Sequence, residues 1–435
     1  MSAVLEFPVK PEARPYLDAF AENAGEPQWL RDLRRRGLNR FAELGFPSRK
    51  SENWRYFDLQ PLAREPLPPG RRAIFSAGVL AGALLGGPTH RLVLADACFS
   101  PELSAEAGRD VPGGARFGSL GAALVDRRET VRAAIADTAL AGPLAELDAA
   151  FFSDGFVLDA APGIEIGQPI EIVHVASGAP ASLHTRSLID LGEGSRATIV
   201  EICAGEGRYW HNDVVAARLA PGAHLTRIVV VEEGAAAVHT ALFDATLGKG
   251  ARLDGFCCLF GGSRARQEWN VRLAGEGATC RLDGAFLVSG DDEANIVTAI
   301  DHAAPGGQTR ELIKGVAAGR GHGAFQGRIA VREHAQKSDA QQLSRNLILG
   351  RRAVIDTKPE LEILADDVKC SHGASVGDLD TAALFYLRSR GIPAQAARRM
   401  LIEGFLREAA DGIADAVLRD YLLRRLALRL GRLEE

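Results

Sequence analysis

Apolar residues recur along this chain with two different rhythms, and the switch between them divides it. Between residues 12 and 46, Leu30, Leu33, Leu38, Phe41 and Leu44 return at roughly helical spacing among Arg and Glu, and Pro47 closes the run. The middle of the chain reads GEGSRATIVEICAGEG, APGAHLTRIVVVEEG, GKGARLDGFCCLFGG and GEGATCRLDGAFLVSG, in which each glycine turn opens a strand-like run of β-branched and apolar residues. Gly194, Gly222, Gly250 and Gly277 lie 28, 28 and 27 residues apart. Phe325–Arg332 and Ala353–Leu364 continue the pattern, with Gly323 and Gly350 again 27 apart. From Asp380 the rhythm is helical once more. Asp380 is a plausible N-cap, Gly391 a C′ stop, Pro393 suits the first turn of AQAARRMLIEGFLREAA, and a last helix is expected over Ile413–Leu430.

A fixed period near 28 residues, filled by strands, predicts a solenoid in which each coil buries its inner face only when its neighbours stack on it. An antiparallel sandwich would place its turns every 8–12 residues, and the longer period decides against it. The expected fold class is therefore mainly β: a right-handed parallel β-helix flanked by helical domains. The Pro-rich connector PLAREPLPPG marks a boundary near residue 70. The expected organisation is an N-terminal helical domain over 1–70, a mixed α/β region over 71–155, the β-helix over 156–378 and a helical domain over 379–435. Within the mixed region, RLVLAD predicts a strand, and 127–137 and 142–151 predict helices.

Composition narrows the function more by exclusion than by assertion. A hydrophobic content of 46% and charged content of 25% suit a globular chain, and a net charge of −5 argues against nonspecific nucleic-acid binding. The first residues show no basic segment before a long apolar run, and no apolar stretch is long enough to span a membrane. The six cysteines, at 98, 203, 257, 258, 280 and 370, form no CxxC pair, which fits a reducing cytoplasm. There is no GxxxxGK[ST], so any ATP dependence must come from a partner; GKGAR at Gly248 is only a glycine corner. The acidic runs Asp291–Glu293 and Asp366–Asp367 lack calcium-loop spacing, which argues against a secreted glycan-cleaving β-helix enzyme.

Chemistry concentrates in PELEILADDVKCSHGASVG. Cys370 and His372 are two residues apart at the end of an extended segment, so their side chains project to one side as a pair of soft metal ligands. Two ligands make half of a tetrahedral site, and the other half must come from elsewhere. Cys257 and Cys258 are adjacent and face opposite sides; with Cys280 they read as small buried hydrophobes filling a coil. His211 in YWHND and His302 in AIDHAAPG read as hydrogen-bonding side chains at solenoid corners.

The stretch ADDVKCSHGASVGDLDTAALFYLRSRGIP resembles, almost residue for residue, the C-terminal signature of the SufD family, the β-helical subunits of the SufB–SufC–SufD iron–sulfur cluster assembly machinery. Trp54, Arg55 and Tyr56 resemble its N-terminal motif, with Phe57 where Thr is usual. Ser375 replaces the commoner Thr of HGAT. SufB, the paralogue, carries a Glu after the histidine, where this chain has Gly373. The resemblance implies a non-enzymatic scaffold that pairs with SufB through the C-terminal end of the β-helix, with a homodimer of the isolated chain left open. It implies a transient iron–sulfur cluster at that interface, served by His372 and Cys370, with any reduced flavin belonging to the assembled complex. It also implies that SufC, the ATPase, docks on the helical tail. Leu384, Phe385, Met400, Leu401 and Phe405 beside Arg398 and Arg399 would suit such a surface, although a solvated face is the other reading of a tail with ten Arg against seven acidic residues. A SufB-type paralogue and a plain interaction solenoid without a metal role are the alternatives.

Overall fold

In the computed structural model, which describes residues 9–70, 82–104, 111, 114–126, 128–137, 142–262 and 264–432, the repeat closes into a parallel β-solenoid of about eight turns. The first residues of the chain, the start of the 71–155 region and Arg127, where the first of its expected helices begins, lie outside the described residues. Each coil gives one strand to each of two sheets, so strands next but one in sequence are neighbours in space. The pairing is in register. Arg252–Leu259 lies between His224–Glu233 and Thr279–Val288, with Cys257 opposite Val229 on one side and Gly284 on the other.

Alternation along each strand builds two cores from one sequence. In Arg252–Leu259, Leu253, Cys257 and Leu259 point into the space between the sheets, while Phe256 and Cys258 face outward beneath the C-terminal helices. Cys257 and Cys258 thus do face opposite ways. Burial pushes the Cys257 thiol up to about 12 and those of Cys203, Cys258 and Cys280 well above the ordinary range. None of the six cysteines forms a disulfide.

The corners explain the glycine period. Gly194, Gly222, Gly250 and Gly277 have φ of +66°, +69°, +61° and +70°, a region that penalises a Cβ. Each donates its N–H to a carbonyl of the next coil, Gly194 to Pro221 and Gly222 to Lys249. The row continues through Gly306 to Lys337, which holds φ +65°. Gly323 and Gly350 do not form such a pair. Gly323 lies inside the strand His322–Val331, where a Cβ would stand 2.1 Å from the Phe286 ring, and Gly350 stacks on the corner of Gly319.

The helix expected over 12–46 is two, Arg14–Ala19 and Gln28–Leu44, because Pro27 caps the second from an extended conformation. Their apolar faces join Phe46, Phe57 and Trp210. Trp54 lies 4.0 Å beneath the buried Arg266 guanidinium, so the Trp-Arg-Tyr motif locks the N-terminal segment to the solenoid. RLVLAD forms His90–Ala95, which pairs with Ile170–Ala176; the first sheet therefore begins within the region expected to be a connector. Helices Arg128–Asp137 and Pro143–Phe151 lie near the expected runs.

After the solenoid, Asp380 caps Thr381–Ser389 by accepting from the Ala382 and Ala383 N–H groups at 2.8 and 3.2 Å. Pro393 is the N-cap of Ala394–Ala410 rather than a residue of its first turn, and the last helix runs Ala416–Arg432. The last two helices place Ile402, Leu406, Leu418, Leu422 and Leu426 on the outer face of the first sheet, over Ile202, Val230, Phe256 and Leu287.

Candidate functional site: the last coil and its donor pair

Strands Val354–Ile363 and Lys369–Gly377 end the two sheets, each paired on one side only among the described residues. Their other edges present unpaired backbone N–H and C=O groups. Cys370 is in register with Ala340, and His372 with Gln342. Ala340 and Gln342 are buried, Ala340 within the interior core. Cys370 and His372 therefore occupy inward-pointing positions of a coil that no further coil covers. His372 is exposed as a result, while Cys370 is half-buried against the interior cluster. Desolvation raises the Cys370 thiol above its ordinary value, against a backbone hydrogen bond involving Ala340 that lowers it. At neutral pH it rests protonated and needs a metal or a cationic partner to become a thiolate ligand.

Among the described residues no third close donor joins these two. The triples that do come together, Cys203 with His211 and His239, and His174 with His211 and Asp213, lie deep in the solenoid. Sequence reading did not single out this interior group. The signal was the period itself: His211 and His239 are 28 residues apart and His174 and Cys203 are 29, so each pair stacks on adjacent coils. His211 lies mid-strand and not at a corner. His302 does act as a hydrogen-bonding group, with Ser338 Oγ at 3.1 Å from Nδ1 and Thr309 Oγ1 at 2.8 Å from Nε2.

Around the donor pair the end coil leaves Val354, Ile363, Leu364 and Val376 exposed. On the tail, Phe385 is 73% exposed, with Tyr386, Met400 and Arg398 also open to solvent and Leu384 half-buried. Leu401 and Phe405 instead pack toward the solenoid, Phe405 beneath the Lys314 ammonium at 4.2 Å. Tyr386 extends the exposed surface and was not singled out from sequence.

The fold and its end define a parallel β-solenoid with terminal helices and a cysteine–histidine pair on its last coil. Within it, the family model for the SUF system FeS cluster assembly SufBD core domain matches residues 174–405. The iron–sulfur cluster assembly protein SufD of Escherichia coli is 30% identical over 407 residues, covering 90% of this chain and 91% of the relative. An iron–sulfur cluster assembly SufBD family protein of Synechocystis is 27% identical over 93% of this chain and 92% of its own length. SufD of Bacillus subtilis is 26% identical over 90% and 92%. The chain belongs to the SufBD family of iron–sulfur cluster assembly proteins and is SufD-like within it. No described helix is long and apolar enough to cross a membrane.

Proposed function

We propose that this chain is a non-catalytic scaffold subunit of an iron–sulfur cluster assembly complex, pairing with SufB through its last coil and binding SufC through its tail. The observation that carries the reading is the uncapped final coil, whose inward positions hold Cys370 and His372. A partner strand added to this edge would satisfy the open backbone groups and cover Val354, Ile363, Leu364 and Val376. It would also bring further thiolates toward the same space, completing the donor set that two residues leave half-built. The nascent cluster is the cargo of this site.

SufC would dock on the exposed face formed by Phe385, Tyr386, Met400 and Arg398, and would supply the ATP hydrolysis for which this chain has no P-loop. In the absence of SufB the same open edge is available to a second copy of the chain.

Co-expression of tagged chain with SufB and SufC tests this division of labour. Val376→Lys places a charge on the open edge and is expected to lose SufB while keeping SufC. Retention of SufB by that variant, together with a Leu364→Lys variant, would contradict the edge assignment.

A further inference from the structure

In the first few coils, polar side chains replace the apolar filling of the solenoid. His174 and Cys203 stack on one sheet, and His211 and His239 stack on the facing sheet. All four are at most 5% exposed. The His174 and His211 rings lie 4.8 Å apart and those of His211 and His239 5.1 Å. One donor atom each from Cys203, His211 and His239 lies within 4.8 Å of the others, and the same holds for His174, His211 and Asp213.

Hydrogen bonding leaves this group unfinished. The two carboxylate oxygens of Glu233 face Nδ1 of His211 at 3.4 Å and Nδ1 of His239 at 3.2 Å. A carboxylate beside Nδ1 of His211 favours a proton on that nitrogen and leaves Nε2 free, the arrangement that orients histidine ligands in metal sites, whereas the contact to His239 lacks hydrogen-bond geometry. Both ring nitrogens of His239, both of His174 and Oε2 of Glu233 have no hydrogen-bond partner. Nε2 of His211 is 3.3 Å from Thr185 Oγ1, whose single proton goes to Asp213 at 2.6 Å. In a neutral His211 that contact sets a nitrogen lone pair against an oxygen, whereas the protonated ring that Glu233 and Asp213 favour would donate there. Unsatisfied buried nitrogens of this kind are costly and rare. Beside them lies a small space of about 10 Å³, lined by His174, His211, Tyr209 and Glu233 but not by Cys203 or His239.

We propose that this interior group binds one divalent metal ion of borderline softness, of the zinc or ferrous type, through Cys203, His211 and His239, with His174 as a fourth donor. One thiolate and three imidazoles are a donor set that such ions favour. The donor atoms need to close by about 1 Å to reach the roughly 3.3–3.8 Å ligand separations of a tetrahedral site. On binding, the Cys203 thiol gives up its proton and Glu233 remains as the carboxylate facing two of the rings. The site lies in different coils from Cys370 and His372, and the proposal does not rest on the scaffold reading.

The test uses the full chain expressed in cobalt-supplemented medium and stripped of loose metal with a chelator. The expected result is one retained cobalt per chain with a thiolate-to-cobalt charge-transfer band. Cys203→Ser, close in size to the native residue, should abolish the band, and Cys370→Ser should keep it. No retained cobalt, or a band that survives Cys203→Ser or depends on Cys370, would overturn the proposal. Anomalous diffraction from wild-type crystals at the cobalt edge serves where the variants fold poorly. A peak between His211 and His239 supports the site, and an imidazolium–carboxylate network with no peak refutes it.

Discussion

His372 is register partner to Gln342, yet Gln342 is buried and His372 stands in solvent. The two residues hold equivalent positions on successive coils, and what distinguishes them is that no further coil among the described residues follows the second. A solenoid that stops without a cap leaves an inner face turned outward, and here that face carries an imidazole and a thiol. Natural repeat proteins usually close such ends with polar capping units. This one keeps apolar residues beside an open strand edge.

The tail has one exposed face and one packed against the solenoid, and different effects are expected of each. Phe385→Ala and Met400→Ala are expected to weaken SufC capture at least tenfold while leaving the melting temperature within about 2 °C of wild type, because exposed side chains contribute little to folding. Leu406→Ala, at a fully packed position between helix and sheet, should instead cost about 2–5 kcal/mol and leave SufC affinity of the folded fraction unchanged. A pull-down paired with thermal denaturation of each variant checks both halves.

Deleting everything after Asp380 is not a clean way to remove the proposed SufC surface. It would strip the cover from Ile202, Ile228, Val230, Phe256, Phe260 and Leu287, leaving a contiguous apolar face on the first sheet. The expected outcome is an aggregating or poorly expressed chain, read by size-exclusion chromatography. A monodisperse, fully folded truncation would show that the solenoid is stable without its helices.

Inside the solenoid, Arg227 donates to both oxygens of Glu201 at 2.6 and 2.7 Å while its guanidinium lies over Phe243 and Trp269. Glu201→Ala would leave a cation buried without its partner, a loss of about 3–5 kcal/mol. The double variant Glu201→Ala, Arg227→Met should recover much of that loss. Denaturant unfolding of the single and double variants makes the comparison.

The stability of the chain should fall with acid partly through His302. Burial lowers its pKa to about 4 from an ordinary 6.5, so between those values the unfolded chain binds a proton that the folded chain does not. Stability then rises with pH across that window, by an amount on the order of 3 kcal/mol for this group. His302→Asn should flatten the dependence between pH 4 and 6.5, measured as urea midpoints over that range.

Much of this architecture was legible because a solenoid writes its geometry into its period. Gly194, Gly222, Gly250 and Gly277 announced the corners, since positive φ at those positions excludes most other residues. Lys337 occupies the same kind of corner without a glycine, and Gly323 is spaced like a corner but serves to admit the Phe286 ring. Spacing alone does not separate these cases. The Cys370–His372 pair was readable as a same-side donor pair because strand alternation is local. Its exposure was not, because that depends on where the stack of coils ends. His211 was weighed only by itself; the interior group was missed because its members come from both sheets, and only the register between coils brings them together.

The donor pair on the open coil is proposed to take part in cluster assembly. The direct measurement is the visible absorbance of cluster bound to the chain co-purified with SufB and SufC without oxygen, in wild type and His372→Ala at equal complex yield. The expected result is loss of the brown chromophore with the complex intact. An unchanged spectrum would contradict it and leave Cys370 and His372 as structural residues at the end of a solenoid.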